Sequence, residues 1–381
     1  MSDALMNHPP AVSVVVPLFN KGPYVTRCLE SICRQTFGDF EVVVVDDGST
    51  DGSGSVAEGL EDPRVRVIRQ PNRGVGAARN RGISESAGAL VAFLDADDEW
   101  EPGFLEAIAG LAGRYPQAGI FATGYRRCYG SRFDKETTVA ARAADPARLI
   151  TNYFAFVQSG DFVTSSNIAI PRKVLEQVGT FVEGLPLGED VHLWARIALR
   201  YPIAHDARIL AVYNTDSSER SFDRFHSSPP CPPLVVRLLQ AALAQDDLPR
   251  AEAREIQACI DWRLVQCAYW LVDLRNRPLL DRLLREEPIG TWRYRLEASW
   301  LRLALRVLPM RAVLALKFWP LNLATRIRQR AFYRWALEPR ISQWGGAVVN
   351  RMVPTGRPQT QRNKHPTDSH PVGHRSHARS S

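Results

Sequence analysis

The chain is poor in cysteine, and its six cysteines, at 28, 33, 128, 231, 259 and 267, show no metal-ligand spacing. Neither a zinc site nor a disulfide framework is expected; Cys28 and Cys33 fall near the apolar face of a helix with Leu29 and Ile32, as reduced, buried thiols do. The first ten residues, MSDALMNHPP, carry an acid and no apolar segment. No secretory signal is read there, and the catalytic part is expected in the cytoplasm. An uninterrupted membrane span is also missing. Leu301 to Ala324 comes nearest, but Arg302, Arg306, Pro309, Arg311, Lys317 and Pro320 break it. No internal repeat of about 20 to 50 residues is present, which excludes solenoids and propellers. Gly74-x-Gly76 looks like part of a dinucleotide fingerprint, yet it follows the third strand-like run instead of opening the first βα unit.

What is present is enough for a real core. The chain has 381 residues, 45% of them apolar, room for one large or two medium domains. Its formal net charge of +7 hides an asymmetry: from Thr291 to Ser381 there are 17 Lys and Arg against 3 acids, so the preceding part is net negative. Strand-like runs occur at Val12 to Val16, Glu41 to Val45, Val65 to Ile68 and Leu90 to Leu94, with helical spacing between them at Val25, Cys28, Leu29, Ile32 and again at Val75, Ala78, Ile83. This alternation predicts an α/β fold with a mostly parallel sheet flanked by helices. A further helix is expected from Phe104 to Leu111, with Asp98, Glu99 and Glu101 as acids suited to its positive end. Residues 121 to 145 show little periodicity; strand-like segments return at Asn167 to Ile170 and Ile209 to Tyr213, around a helix from Asp190 to Leu199.

Carboxylates cluster where the strands end. Asp95 and Asp97 emerge at the tip of the Leu90 to Leu94 run, the edge at which open α/β sheets bind ligands, and alternate residues there can serve ribose hydroxyls and a hard divalent ion bridging a diphosphate. Asp46-Asp47 end the second strand, where a carboxylate can accept from a base N–H or from ribose, or can serve an Asx turn with Ser49 and Asp51. Pro17 ends the first ladder and carries Asn20 toward the same edge. Arg79 forks well onto a planar anion. Glu189-Asp190 open a helix, and Asp190 could take a proton from an acceptor hydroxyl. His192 reads as a helix-surface residue. Asp216 has no assigned part.

Taken in order, VVVPLFNK, SICRQTF, EVVVVDDGSTD, NRGVGAARNRG, FLDADDEW and GEDVHLWAR resemble the family 2 glycosyltransferases of the GT-A (nucleotide-diphospho-sugar transferase) fold, over roughly residues 11 to 215. The resemblance implies an inverting transferase using a nucleotide-activated sugar with Mg²⁺ or Mn²⁺. Carried over by motif, Pro17, Asn20, Asp46 and Arg79 would contact the nucleotide, Asp95 the ribose side and Asp97 the metal, with Asp190 as general base. No Gln-x-x-Arg-Trp follows the Glu-Asp motif, which favours one sugar per encounter over processive synthesis.

Three regions are expected: a catalytic domain over 1–225, a helical, basic, Trp-rich region over 226–345, and a disordered basic tail over 346–381. Five of the nine tryptophans lie in 291–344. That stretch suits an anionic leaflet, placing the protein peripherally on the inner face of the plasma membrane beside a glycan or lipid-linked acceptor. Packing on the catalytic domain is the plainer alternative. No nucleic-acid motif is present, so nucleic acid is not an expected partner. Nucleotidyl transfer, or a catalytically inactive sugar-nucleotide-binding relative, are the competing readings.

Overall fold

Seven consecutive buried residues, Val12–Leu18, form the central strand β1. Strands covered on both faces read as continuous apolar runs, and β1 sits between two parallel neighbours, β2 (Phe40–Asp46) and β4 (Leu90–Phe93). Beyond β2 lies β3 (Val65–Arg69), also parallel. The computed structural model describes residues 8–129, 132–137, 145–158, 162–215, 233–245, 247–273 and 276–307. Asp216, most of the 291–344 segment and the 346–381 tail lie outside them.

The sheet becomes mixed past β4. Its strand order is β3-β2-β1-β4-β9-β6-β10-β5, where β9 (Ile168–Pro171) runs antiparallel to both β4 and β6 (Ile120–Tyr129). The strand β10 (Ile203–Asn214) is parallel to β6, and the two-residue β5 (Glu99–Trp100) pairs with it at Ala211 and Val212. At the rim, β7 (Arg132–Thr137) and β8 (Ala147–Ile150) pair with β6 and β10.

Period-two alternation divides the core. Val12, Val14, Val16 and Leu18 face the helices α1 (Gly22–Cys33) and α4 (Phe104–Arg114), against Val25, Leu29, Ile32, Phe104 and Ile108. On the other face, α3 (Val75–Glu85) lies across β1 and β2, and α7 (Glu189–Ala198) buries Leu193, Trp194 and Ile197. The same core takes in α5 (Tyr153–Val157) and four later helices: α8 (Leu234–Ala244), α9 (Arg250–Asp273), α10 (Arg277–Glu286) and α11 (Trp292–Val307). The fully buried Asp261 of α9 accepts from Gly290 N at 3.2 Å and Thr291 N at 2.6 Å, satisfying a donor at the start of α11. Among the described residues no helix is long and apolar enough to cross a membrane.

Three expectations need correction. Pro17 does not end the first ladder, because Pro17 and Leu18 still pair with Val45 and Asp46. Asp98 and Glu99 do not open a helix: Asp98 is buried, Glu99 belongs to β5, and α4 has only Glu106 in its first turn. The aperiodic stretch after 120 begins with the ten-residue β6, whose apolar run is broken by Thr123 and Gly124 and whose partner β10 lies far along the chain.

One close approach sets where α3 sits. A Cβ on Gly82 would lie 2.3 Å from Val15 Cγ1, so the helix is pressed onto β1 through a glycine. Gly82→Ala should destabilise the protein by about 1–3 kcal/mol through overpacking, read as a lower urea midpoint with an unchanged slope.

Candidate functional site

The C-terminal ends of β1, β2 and β4 converge with the start of α7, and two polar networks run between them. The inner one centres on Arg79 of α3, which is buried. Its Nη2 donates to Asp95 Oδ1 and its Nη1 to Glu189 Oε1, each at 2.7 Å. The guanidinium also lies 5.2 Å over the Phe181 ring, which meets Phe93 and Trp194 edge-on. Arg79 therefore joins the strand-tip carboxylate to the helix that carries Asp190.

Asp190 is half-buried at the first turn of α7, after Gly188 in the left-handed conformation. Burial and the neighbouring Glu189 push its carboxyl up to about 7, against the opposing pull of Arg79. That places it near the range in which a general base works best. His192, expected on the helix surface, is buried, and burial lowers it to about 4, so its ring is neutral near pH 7.

The loop ahead of α7 is held by the two motifs that flank it. Asn80 Nδ2 donates to Phe181 O at 2.9 Å, Phe181 N returns a bond to Asn80 Oδ1 at 3.0 Å, and Arg196 donates to the carbonyls of Val178 and Thr180. A Cβ on Gly76 would lie 3.0 Å from Val182 O. The Gly-rich segment thus packs closely on the 181–189 loop. Asp47 is spent on the same segment: it accepts from Gln70 Nε2, Arg73 N and Gly74 N at 2.8, 2.9 and 2.8 Å.

The outer network links the loops after β1 and β2. Asp46 Oδ1 accepts from Ser49 N at 2.9 Å, Asn20 N donates to Ser49 Oγ at 3.1 Å, and Asn20 Oδ1 accepts from Thr50 N at 2.9 Å. Asn20 takes φ 50°, which Asn tolerates better than most residues. Next to it, Lys21 Nζ lies 2.9 Å from Asp97 Oδ2. Pro17 is buried inside β1, below this loop.

Asp98, the third carboxylate of the strand-tip cluster, anchors the loop. It accepts from Asn214 N at 2.8 Å and from Ser166 Oγ, while Ser166 Oγ also receives Asp95 N at 3.2 Å and Asn214 Nδ2 donates to Asp97 O at 2.9 Å. Burial raises Asp98 well above the ordinary carboxylate range, and the charges of Asp97 and Asp95 add to the rise. The two flanking carboxylates each meet a cation, Asp95 at Arg79 and Asp97 at Lys21. Among the described residues no three or more metal-type side chains converge, so a divalent ion would take Asp97 together with oxygens of its ligand, the way Mg²⁺ is commonly held. Asp97 is a hard oxygen donor of the kind that ion takes.

Of the residues singled out in the sequence, Asn20 and Asp46 meet in one network and Arg79 and Asp95 in another, with Asp190 next in sequence to its third member, Glu189, and Asp97 on the loop between. Sequence reasoning left Lys21, Ser166, Phe181 and Asn214 without a part. Lys21 had a usable signal, since it follows Asn20 in the same loop; the others are defined only by contacts across the fold.

Residues 13–179 match the family model described as Glycosyl transferase family 2. Glycosyltransferase GlyG of Streptococcus pneumoniae is 42% identical over 100 residues, 26% of this chain and 33% of that protein. The hyaluronan synthase of Pasteurella multocida is 32% identical over 167 residues, 40% of this chain and 17% of that one. The chain thus spans about a third or less of the length of these curated relatives. Among solved structures, S. aureus TarS 1–349 in complex with UDP-GlcNAc shares the fold, with a TM-score of 0.59 at 21% identity, covering 72% of this chain and 79% of that one.

Replacing Arg79 by Met leaves Glu189 buried without its cation. The substitution should cost about 3–5 kcal/mol of stability, measured by urea unfolding, and Arg79→Lys should recover only part of it because one ammonium cannot fork onto two carboxylates.

Proposed function

We propose that this chain, whose residues 13–179 match the family 2 glycosyltransferase model, moves a sugar from a nucleoside diphosphate donor to a hydroxyl of a glycan or lipid-linked acceptor, with inversion at the anomeric carbon. The observation that carries this reading is Asp190, held beside the Arg79 bridge with its carboxyl raised to about 7. In this reading Asn20, Asp46 and the β1 end at Pro17 border the nucleotide, with Asp95 on the ribose side. Arg79, in contact with Asp95, fixes that carboxylate and the start of α7 in one geometry, which sets the acceptor oxygen against the donor carbon. Asp190 removes the acceptor proton as the oxygen attacks, the new C–O bond forms, and the bond to the diphosphate breaks with its electron pair leaving on the phosphate. No covalent enzyme intermediate is required. Mg²⁺ or Mn²⁺ bound by Asp97 would supply positive charge to the leaving diphosphate. The name of the hyaluronan synthase relative supports a polysaccharide setting for the acceptor.

Incubation of the purified protein and membranes with a panel of labelled sugar nucleotides and Mn²⁺ tests the reading. Transfer should occur with at least one donor and fall about a thousandfold in Asp190→Asn. Because the base must be ionised, turnover should rise as pH climbs through about 7 and level off above it, and Asp190→Asn should lose that limb. Equal turnover in the variant would remove Asp190 from the mechanism.

We further propose peripheral attachment to an anionic inner leaflet through 291–344. In its described part, Leu296 and Leu303 of α11 are 63% and 61% exposed, next in sequence to Arg295 and Arg302. An apolar pair flanked by arginines suits a headgroup layer. Since α8 to α11 share the core of the sheet, a truncation must spare them. A chain ending at Val307 should lose most of its flotation with anionic liposomes relative to the full chain; undiminished flotation would place the attachment elsewhere.

A further inference from the structure

Lys21 is a cation of the site that the transfer scheme leaves unused. Its Nζ lies 2.9 Å from Asp97 Oδ2, and the two side chains are only 11% and 13% exposed. The backbone on either side is clamped: Asn20 is bonded to Ser49 and Thr50, and Gly22 N donates to Asp51 Oδ2 at 2.9 Å. Lys21 therefore stands at the N-cap of α1 on a fixed main chain, and only its flexible four-carbon stem can carry the charge elsewhere.

Asp97 is also the residue proposed above as metal ligand, and the inference rests on that reading. A carboxylate oxygen already bonded to an ammonium cannot take a divalent ion without bringing two positive charges within a few ångströms of each other, in a place where solvent screening is weak. Ammonium and metal ion compete for Asp97. We propose that Lys21 is a diphosphate-binding residue, parked on Asp97 until a divalent ion takes that carboxylate. Before the donor binds, Lys21 offsets the charge of Asp97, which shares a four-residue segment with Asp95 and Asp98. Once a metal ion occupies Asp97, the displaced ammonium stands beside the donor's phosphate oxygens and binds one of them. Each carboxylate and phosphate then keeps a counter-ion in both states. The consequence is coupling: metal alone removes the lysine's bond to Asp97 without replacing it, whereas metal with a diphosphate supplies a replacement.

The test uses the full chain, with Mn²⁺ alone titrated by electron paramagnetic resonance and inorganic pyrophosphate titrated calorimetrically in saturating Mn²⁺. Lys21→Met should bind Mn²⁺ alone roughly tenfold more tightly than wild type and pyrophosphate roughly tenfold more weakly, the size of one charge-assisted hydrogen bond. Lys21→Arg, which keeps the charge, should stay near wild type in both. Thermal melting of each variant checks that it is folded. Wild-type affinities in Lys21→Met overturn the exchange. Asp97→Asn separates the two ideas: if it binds Mn²⁺ as wild type does, the metal reading falls and takes the exchange with it. If Asp97→Asn loses Mn²⁺ while Lys21→Met matches wild type, the metal reading stands and the exchange alone is wrong.

Discussion

A buried guanidinium is stable only when its charge is met, and Arg79 is met by acids from two separate elements, the end of β4 and the start of α7. Asp95 comes from the end of β4 and Glu189 from the start of α7, nearly a hundred residues later, yet both lie 2.7 Å from the same side chain. Without both acids the guanidinium would be stranded in low dielectric, a penalty of several kcal/mol. The bridge therefore makes the relative position of the strand tip and the helix start a condition of folding. Phe181, which stacks against this guanidinium and packs on Phe93 and Trp194, excludes water from it.

The acidic cluster at the end of β4 divides its work because its three carboxylates face different partners. Asp95 turns to Arg79 and Asp97 to Lys21, while Asp98 turns inward to Ser166 and the backbone of Asn214. Three like charges in four residues would otherwise repel; each is relieved by a cation or by burial with hydrogen bonds. The inward residue fixes the loop, which leaves the other two at a defined place on the sheet edge. A similar division separates Asp46, on the Ser49 turn, from Asp47, which is consumed in holding residues 70 to 74.

The described helices after residue 233 share a hydrophobic core with the sheet. Their apolar faces close the same core as α5 and α7, and Tyr294 donates to Gln158 at 3.1 Å across it. The helix that carries the proposed base is thereby backed by residues from the far end of the described chain. In the described part of the 291–344 segment, Leu296 and Leu303 of α11 are exposed.

The sequence by itself determined the parallel half of the sheet, because a strand buried on both faces must be apolar at nearly every position and a covering helix must repeat every three or four residues. It also marked Asp46, Asp95, Asp97 and Asp190, since carboxylates ending apolar strands or opening helices stand out locally. Only the tertiary structure decided that β6 is a strand, for its run is broken by Thr123 and Gly124 and gains its pairing from β10 far downstream. It alone decided the partners of Arg79, Lys21 and Asp98. A side chain's charge is written in the sequence, but the group that meets that charge comes from wherever the chain folds back, and no local pattern records that distance.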